Sequence, residues 1–212
     1  MSFEFALDAW QRGERQSAIA IWQTLAEEGD VRSQYNLGVL LDNGSGVERN
    51  PELAAYYYRQ AAERGYADAA LNLAIMLDEG DGIPQDASKA VRWYWVAAEQ
   101  GNAQSQFKIG LKFDTGDGLP ADTEQATKWY YEAAKQGHSE ACNNLGRCFA
   151  MGEGVERNDV EAYKWFDIAA ELGVANSAKY RERVARELTS EQRIRAGKLS
   201  KEWLLKLRPH SV

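Results

Sequence analysis

The sequence predicts an all-α fold, a right-handed α-α superhelix built as a solenoid of helix hairpins with about twelve helices. Three observations lead there. Glycines recur at Gly29, Gly65, Gly101, Gly137 and Gly173, each 36 residues after the last. Within every period, apolar and small residues fall at helical spacing on both sides of a breaker with two glycines: GSGV, GDGI, GDGL, GEGV. After each breaker stands Asn50, Asp86, Asp122 or Asn158, side chains that accept hydrogen bonds from the free amides of a helix start.

The first helix of a unit carries a small residue four after its opening glycine (Ser33, Ala69, Ser105, Ala141). A large aliphatic with a small partner follows (Leu37-Gly38, Leu73-Ala74, Ile109-Gly110, Leu145-Gly146), then a bulky residue (Leu41, Leu77, Phe113, Phe149). The second helix carries Ala54, Ala90, Ala126 or Ala162 and an aromatic pair (Tyr57-Tyr58, Trp93-Tyr94, Trp129-Tyr130, Trp165-Phe166), and it closes on a double alanine. One hairpin cannot bury its own apolar side. A stack can, because each unit's aromatics and alanines become the floor for the next.

The regular units span 29–64, 65–100, 101–136 and 137–172. Residues 1–28 read as a degenerate helix pair broken at Arg12-Gly13; Ala18, Trp22 and Ala26 fall on the alanine and aromatic columns, so this pair caps the stack. In 173–212 the pattern decays into charged helix. Thr189 and Gln192 then form a capping box that opens a last helix, expected to fold back over the end of the stack, with Pro209–Val212 frayed.

These units fit the pattern A-x-x-x-L-G-x-x-Y-x-x-G-x-G-V-x-x-D-x-x-K-A-x-x-W-Y-x-x-A-A-x-x-G, which resembles the Sel1-like repeat, a relative of the tetratricopeptide repeat. The likeness runs from Gly29 to Leu172, about two thirds of the chain. It implies a scaffold or adaptor that binds other proteins, and it marks no catalytic residue.

Composition narrows the class further. No apolar run nears the roughly 20 residues of a membrane span. The first residues, MSFEFALDAWQRGER, lack the basic start and uncharged core of a secretory signal, so a cytoplasmic, bacterial-type adaptor is expected. Cys142 and Cys148, six apart on one helix, point about 240° apart and cannot easily bridge. Relatives that staple each hairpin with a cysteine pair include some associated with β-lactam binding or hydrolysis. This chain lacks those pairs and any Ser-Lys or His-centred constellation; His138 and His210 are far apart in sequence. No enzyme, cofactor or metal site is expected. Asp42, Asp78 and Asp114 recur near first-helix ends, a repeat apart, and are read as solvated or partner-facing charges.

Charge is uneven. Residues 173–212 hold ten Lys and Arg against four Glu, whereas 1–172 hold fifteen bases against twenty-eight acids. The acidic body disfavours nucleic acid and suits a cationic protein partner. Hence the alternative function, an inhibitor or immunity protein that neutralises a basic toxin or effector.

A binding face follows from the helical wheel. At about 100° per residue, the side of each first helix opposite the buried stripe carries Tyr35 and Val39, Leu71 and Ile75, Phe107 and Leu111, and lastly Asn143 and Arg147. In a stack these helices line the concave surface, so the strip reads as a groove for a partner segment. Beside it run Asn36, Asn72, Lys108 and Asn144. An asparagine amide both donates and accepts, which matches a peptide unit. Trp203 on the last helix leaves room for a homodimer through that end.

Overall fold

The computed structural model describes residues 2–207. They form twelve α-helices and no strand. In order these are α1 (Phe3–Gln11), α2 (Arg15–Glu27), α3 (Val31–Asn43), α4 (Pro51–Glu63), α5 (Ala67–Glu79), α6 (Ala87–Glu99), α7 (Ala103–Thr115), α8 (Thr123–Lys135), α9 (Ser139–Met151), α10 (Asp159–Glu171), α11 (Ser177–Ala185) and α12 (Ser190–Leu207). The fold is a helical solenoid. The chain divides into two compact units, residues 1–102 and 103–212, the first holding α1–α6 and the second α7–α12.

Local chemistry sets the repeat length. A first helix ends on a glycine in the left-handed region, as at Gly44 with φ +68°, a conformation that glycine adopts without a Cβ penalty. The chain then crosses to the second helix through a turn closed the same way each time: Asn50, Asp86, Asp122 and Asn158 donate their backbone N–H to the carbonyls of Leu41, Leu77, Phe113 and Phe149 at 2.8–2.9 Å. Those four side chains cap the second helices, accepting from Leu53 N at 3.0 Å, Lys89 N at 2.9 Å, Gln125 N at 3.0 Å, and Val160 N and Glu161 N at 3.1 Å.

The small residues set how closely the two helices of a hairpin approach. A Cβ on Gly38 would lie 2.6 Å from the Tyr58 ring, and one on Gly110 would lie 2.6 Å from that of Tyr130. The second-helix aromatic thus rests on the backbone of the first helix. Tyr58, Tyr94 and Tyr130 are in consequence buried, as are Leu37, Leu73, Ile109 and Leu145 beside them.

In the first unit, α1 and α2 pair without the double-glycine turn, and Phe3 and Trp10 cover Trp22. In the second unit, α11 and α12 both pack on α10. The carboxylate of Asp167 joins them: Arg181 of α11 donates to it at 2.7 Å, and so does the buried hydroxyl of Ser200 in α12. The capping box opens α12, Thr189 N donating to Gln192 Oε1 at 2.9 Å and Gln192 N to Thr189 Oγ1 at 3.2 Å. Trp203 lies half-buried with its ring 4.9 Å from that of Trp165, so it is a packing residue and not the outward dimer face expected from sequence. The exposed large apolar residues of α12 are Ile194 and Leu205. His210 and the stretch expected to fray lie outside the described residues.

Candidate protein-binding face

The strip expected from the helical wheel is less open than the wheel suggests. In the first unit Tyr35, Val39 and Ile75 are half-buried, but Leu71 is 8 % exposed and belongs to the core. The wheel places Leu71 opposite the main stripe; it is buried nonetheless. Tyr35 rests on two rings, Tyr66 at 4.8 Å and Tyr58 at 6.1 Å. In the second unit Phe107 and Leu111 are half-buried against the core around Tyr130, and Phe107 stacks on His138 at 4.5 Å.

The amide column runs beside the tyrosine hydroxyls. Asn72 lies near the hydroxyls of Tyr35 and Tyr58, and Asn144 near that of Tyr130. The hydroxyls of the second-helix tyrosines donate to the recurrent aspartates: Tyr58 to Asp42 at 3.4 Å, Tyr94 to Asp78 at 3.1 Å and Tyr130 to Asp114 at 3.0 Å. The expectation of solvated or partner-facing aspartates is therefore corrected. Each is half-buried and accepts a bond from its own hairpin, since a buried phenol needs a partner and a carboxylate is the strongest acceptor within reach. Burial first, and then the adjoining aspartate, push all three tyrosines well above the usual phenol range. They stay neutral donors. Arg147, expected on the strip, is tied to Asp114 and Glu153. Asn36 is half-buried, and Lys108, also half-buried, makes no ion pair among the described residues.

His138 belongs to this face, although its sequence neighbours gave no hint of it. It occupies the register position of Asp30, one residue before a first helix, and its Nδ1 accepts from Ala141 N at 3.3 Å to cap α9. The signal was present as a 36-residue column of cap positions. Burial first, with a smaller contribution from the charge of Lys108, lowers its pKa below the ordinary value of 6.5, against the pull of Glu140. The folded chain therefore holds His138 neutral while the unfolded chain protonates near pH 6.5. Its contribution to stability is complete above 6.5 and is lost as pH falls from there to the lower folded value, by about 1.4 kcal/mol for each unit between the two. Melting curves from pH 7.5 down to 5 will show this loss. His138→Asn, which caps without titrating, will flatten that part of the profile.

The thiols are closed off. Cys142 and Cys148 are buried and unpaired, and burial pushes the Cys142 thiol up to about 12. No helix among the described residues is long and apolar enough to cross a membrane.

Stacked hairpins with a half-buried aromatic and amide face define a helical-repeat protein. The chain belongs to the Sel1 repeat family, whose model matches residues 31–66, 67–102, 103–138 and 139–174. Such solenoids are in general non-catalytic scaffolds for protein interaction. The fold is similar to a Sel1 repeat protein from Oxalobacter formigenes at 27 % identity and a TM-score of 0.81, covering 96 % of this chain and 85 % of that one. It is similar also to c5321, a protective antigen of uropathogenic Escherichia coli with an SLR fold, at 28 % identity and a TM-score of 0.57, covering 92 % of this chain and 52 %, about half, of that protein. Immunity protein PA5088 from Pseudomonas aeruginosa shares the fold at 16 % identity and a TM-score of 0.50, covering 91 % of this chain and 75 % of that one. None of the curated proteins compared with the chain matches it.

Proposed function

We propose that this chain is a non-enzymatic adaptor that holds a segment of a partner protein against its first-helix face. The observation that carries the reading is the half-buried apolar side chains of the first helices, Tyr35, Val39 and Ile75 within one unit and Phe107 and Leu111 within the other, with amides beside them in each. Side chains that keep part of their apolar surface in water gain from being covered, at about 25 cal/mol for each Å² removed. The acid excess of residues 1–172 favours a partner with a cationic surface, as an inhibitor of a basic protein would require. Buried, protonated thiols and a histidine engaged in capping a helix offer no nucleophile, which supports a binding role. The absence of disulfides among the described residues suits a reducing compartment such as the cytoplasm.

The test replaces Val39 and Ile75 with lysine. A lysine stem covers the same apolar surface while its head reaches water, so the fold is retained and the face becomes charged. Affinity capture from the native cell, followed by cross-linking, is expected to recover a protein partner with the unmodified chain. Recovery with the double variant should fall about tenfold or more, at unchanged helical circular dichroism. Equal recovery, or cross-links confined to the second helices, would refute the assignment.

A further inference from the structure

The Tyr–Asp pair that closes the first three hairpins is missing, both halves together, from the fourth. At those register positions stand Phe166 and Ala150. A hydroxyl and a carboxylate are lost at once, and what remains is an apolar floor of Ala150, Phe166 and Val184, with Tyr180 5.5 Å from the Phe166 ring and 41 % exposed. Above that floor a cavity of about 550 Å³ opens within the second unit.

Its wall is rich in donors. Asn143 accepts from Ser177 Oγ at 2.8 Å through its oxygen, which leaves its amide hydrogens for the cavity. Arg183 is exposed and makes no ion pair among the described residues. Two further arginines line the cavity but are engaged, Arg147 with Asp114 and Glu153, and Arg157 with Asp159. Glu187, the other wall carboxylate, is exposed and forms no ion pair among the described residues. Asn143 and Arg183 thus both keep N–H donors free for the cavity, beside aromatic surface. The surrounding charge permits an anion: residues 103–212 carry seventeen Lys and Arg against sixteen Asp and Glu, unlike the acidic first unit.

We propose that this cavity binds an acidic residue with an adjoining aromatic one in the partner segment, the carboxylate on Arg183 and Asn143 and the ring over Phe166 and Tyr180. Arginine with an amide matches a carboxylate in both charge and geometry, and the volume takes two side chains with room for water. The proposal rests on the adaptor reading only in taking the occupant to be part of a protein.

The experiment is an amide NMR titration of the full chain with N-acetyl-Asp-Phe-amide, alongside its Asn-Phe and Lys-Phe counterparts. The acidic peptide should shift the amides of Asn143, Arg183 and Val184 with a dissociation constant in or below the millimolar range, and the neutral one should bind about fivefold more weakly. Arg183→Gln, a surface change that leaves the fold intact, should erase that difference. Ala150→Asp, which restores the carboxylate of the other repeats, should abolish binding, its melting temperature reporting that it folds. Equal affinity for the three peptides, unchanged binding by Arg183→Gln, or no shifts at these amides at about 10 mM peptide would overturn the proposal. If the dipeptide fails while the Val39 and Ile75 variant still loses its captured partner, the cavity assignment falls and the adaptor face stands; the opposite pattern removes the face and keeps the cavity.

Discussion

Gly154→Ala is expected to destabilise the protein by about 3–4 kcal/mol and to lower its melting temperature by roughly 10 °C, far more than one methyl group ordinarily does. Two effects add at this position. The backbone lies at φ +67°, which an alanine adopts only under strain. The new Cβ would also fall 2.6 Å from Glu124 N and closer still to the Thr123 carbonyl, backbone atoms of the first turn of α8 that cannot swing aside. Gly152, two residues earlier, isolates the first effect. It has φ +73°, yet its Cβ would clear Arg157 at 3.6 Å, so Gly152→Ala should show strain alone, about 1 kcal/mol. Thermal and denaturant melts of the two variants check the contrast. Similar losses would mean that the glycine turn does not bear on the preceding hairpin. Gly82 shows the same contact in the first unit, its Cβ reaching within 2.6 Å of the Pro51 backbone, whereas a Cβ on Gly46 would meet only side chains, the nearest at 3.4 Å.

That distinction between two glycines of one turn marks where sequence stops being informative. The helices, their caps and the period were legible because each depends on groups a few residues apart: Asn50 and Leu53, Thr189 and Gln192. The face was only partly legible. A helical wheel knows the direction of a side chain but not what stands opposite, so Leu71 looked free and is covered, and Trp203 looked exposed and is turned inward. Asn72 reads equally well as a ligand for a peptide and as a neighbour of Tyr35 and Tyr58, because those tyrosines lie on other helices. One clue to the buried polar pairs was nevertheless present in the repeats themselves. Aspartate and tyrosine occur together in three repeats and vanish together from the fourth, as two groups do when each is the other's partner.

Trp165→Ala should be the most damaging substitution in the second unit, at about 3–5 kcal/mol, and should release α12. Trp165 is fully buried, where the other first-column aromatics Tyr57, Trp93 and Trp129 keep part of their surface in water. The difference comes from the side chains packed around it. Trp203 of α12 meets it edge-on at 4.9 Å, Tyr131 edge-on at 6.0 Å, and the Lys164 ammonium lies over both tryptophan rings at 4.4 and 5.2 Å while pairing with Glu161 at 2.7 Å. Removing the Trp165 ring withdraws the surface on which the last helix rests, and it leaves a large cavity beside a charge. The indole N–H is itself buried without a partner, so Trp165→Phe, which keeps an aromatic ring and deletes that orphan donor, should cost only about 1 kcal/mol. Trp203→Ala should free α12 without disturbing the pairing of α9 with α10, because Trp203 is a covering residue and Trp165 a foundation. Hydrogen exchange resolves the two cases. In Trp203→Ala the protected amides of α12 alone should exchange faster, whereas in Trp165→Ala those of α10 and α9 should follow. Unchanged protection of α12 in both would mean that Asp167, through Arg181 and Ser200, is sufficient to anchor the helix without the tryptophan pair.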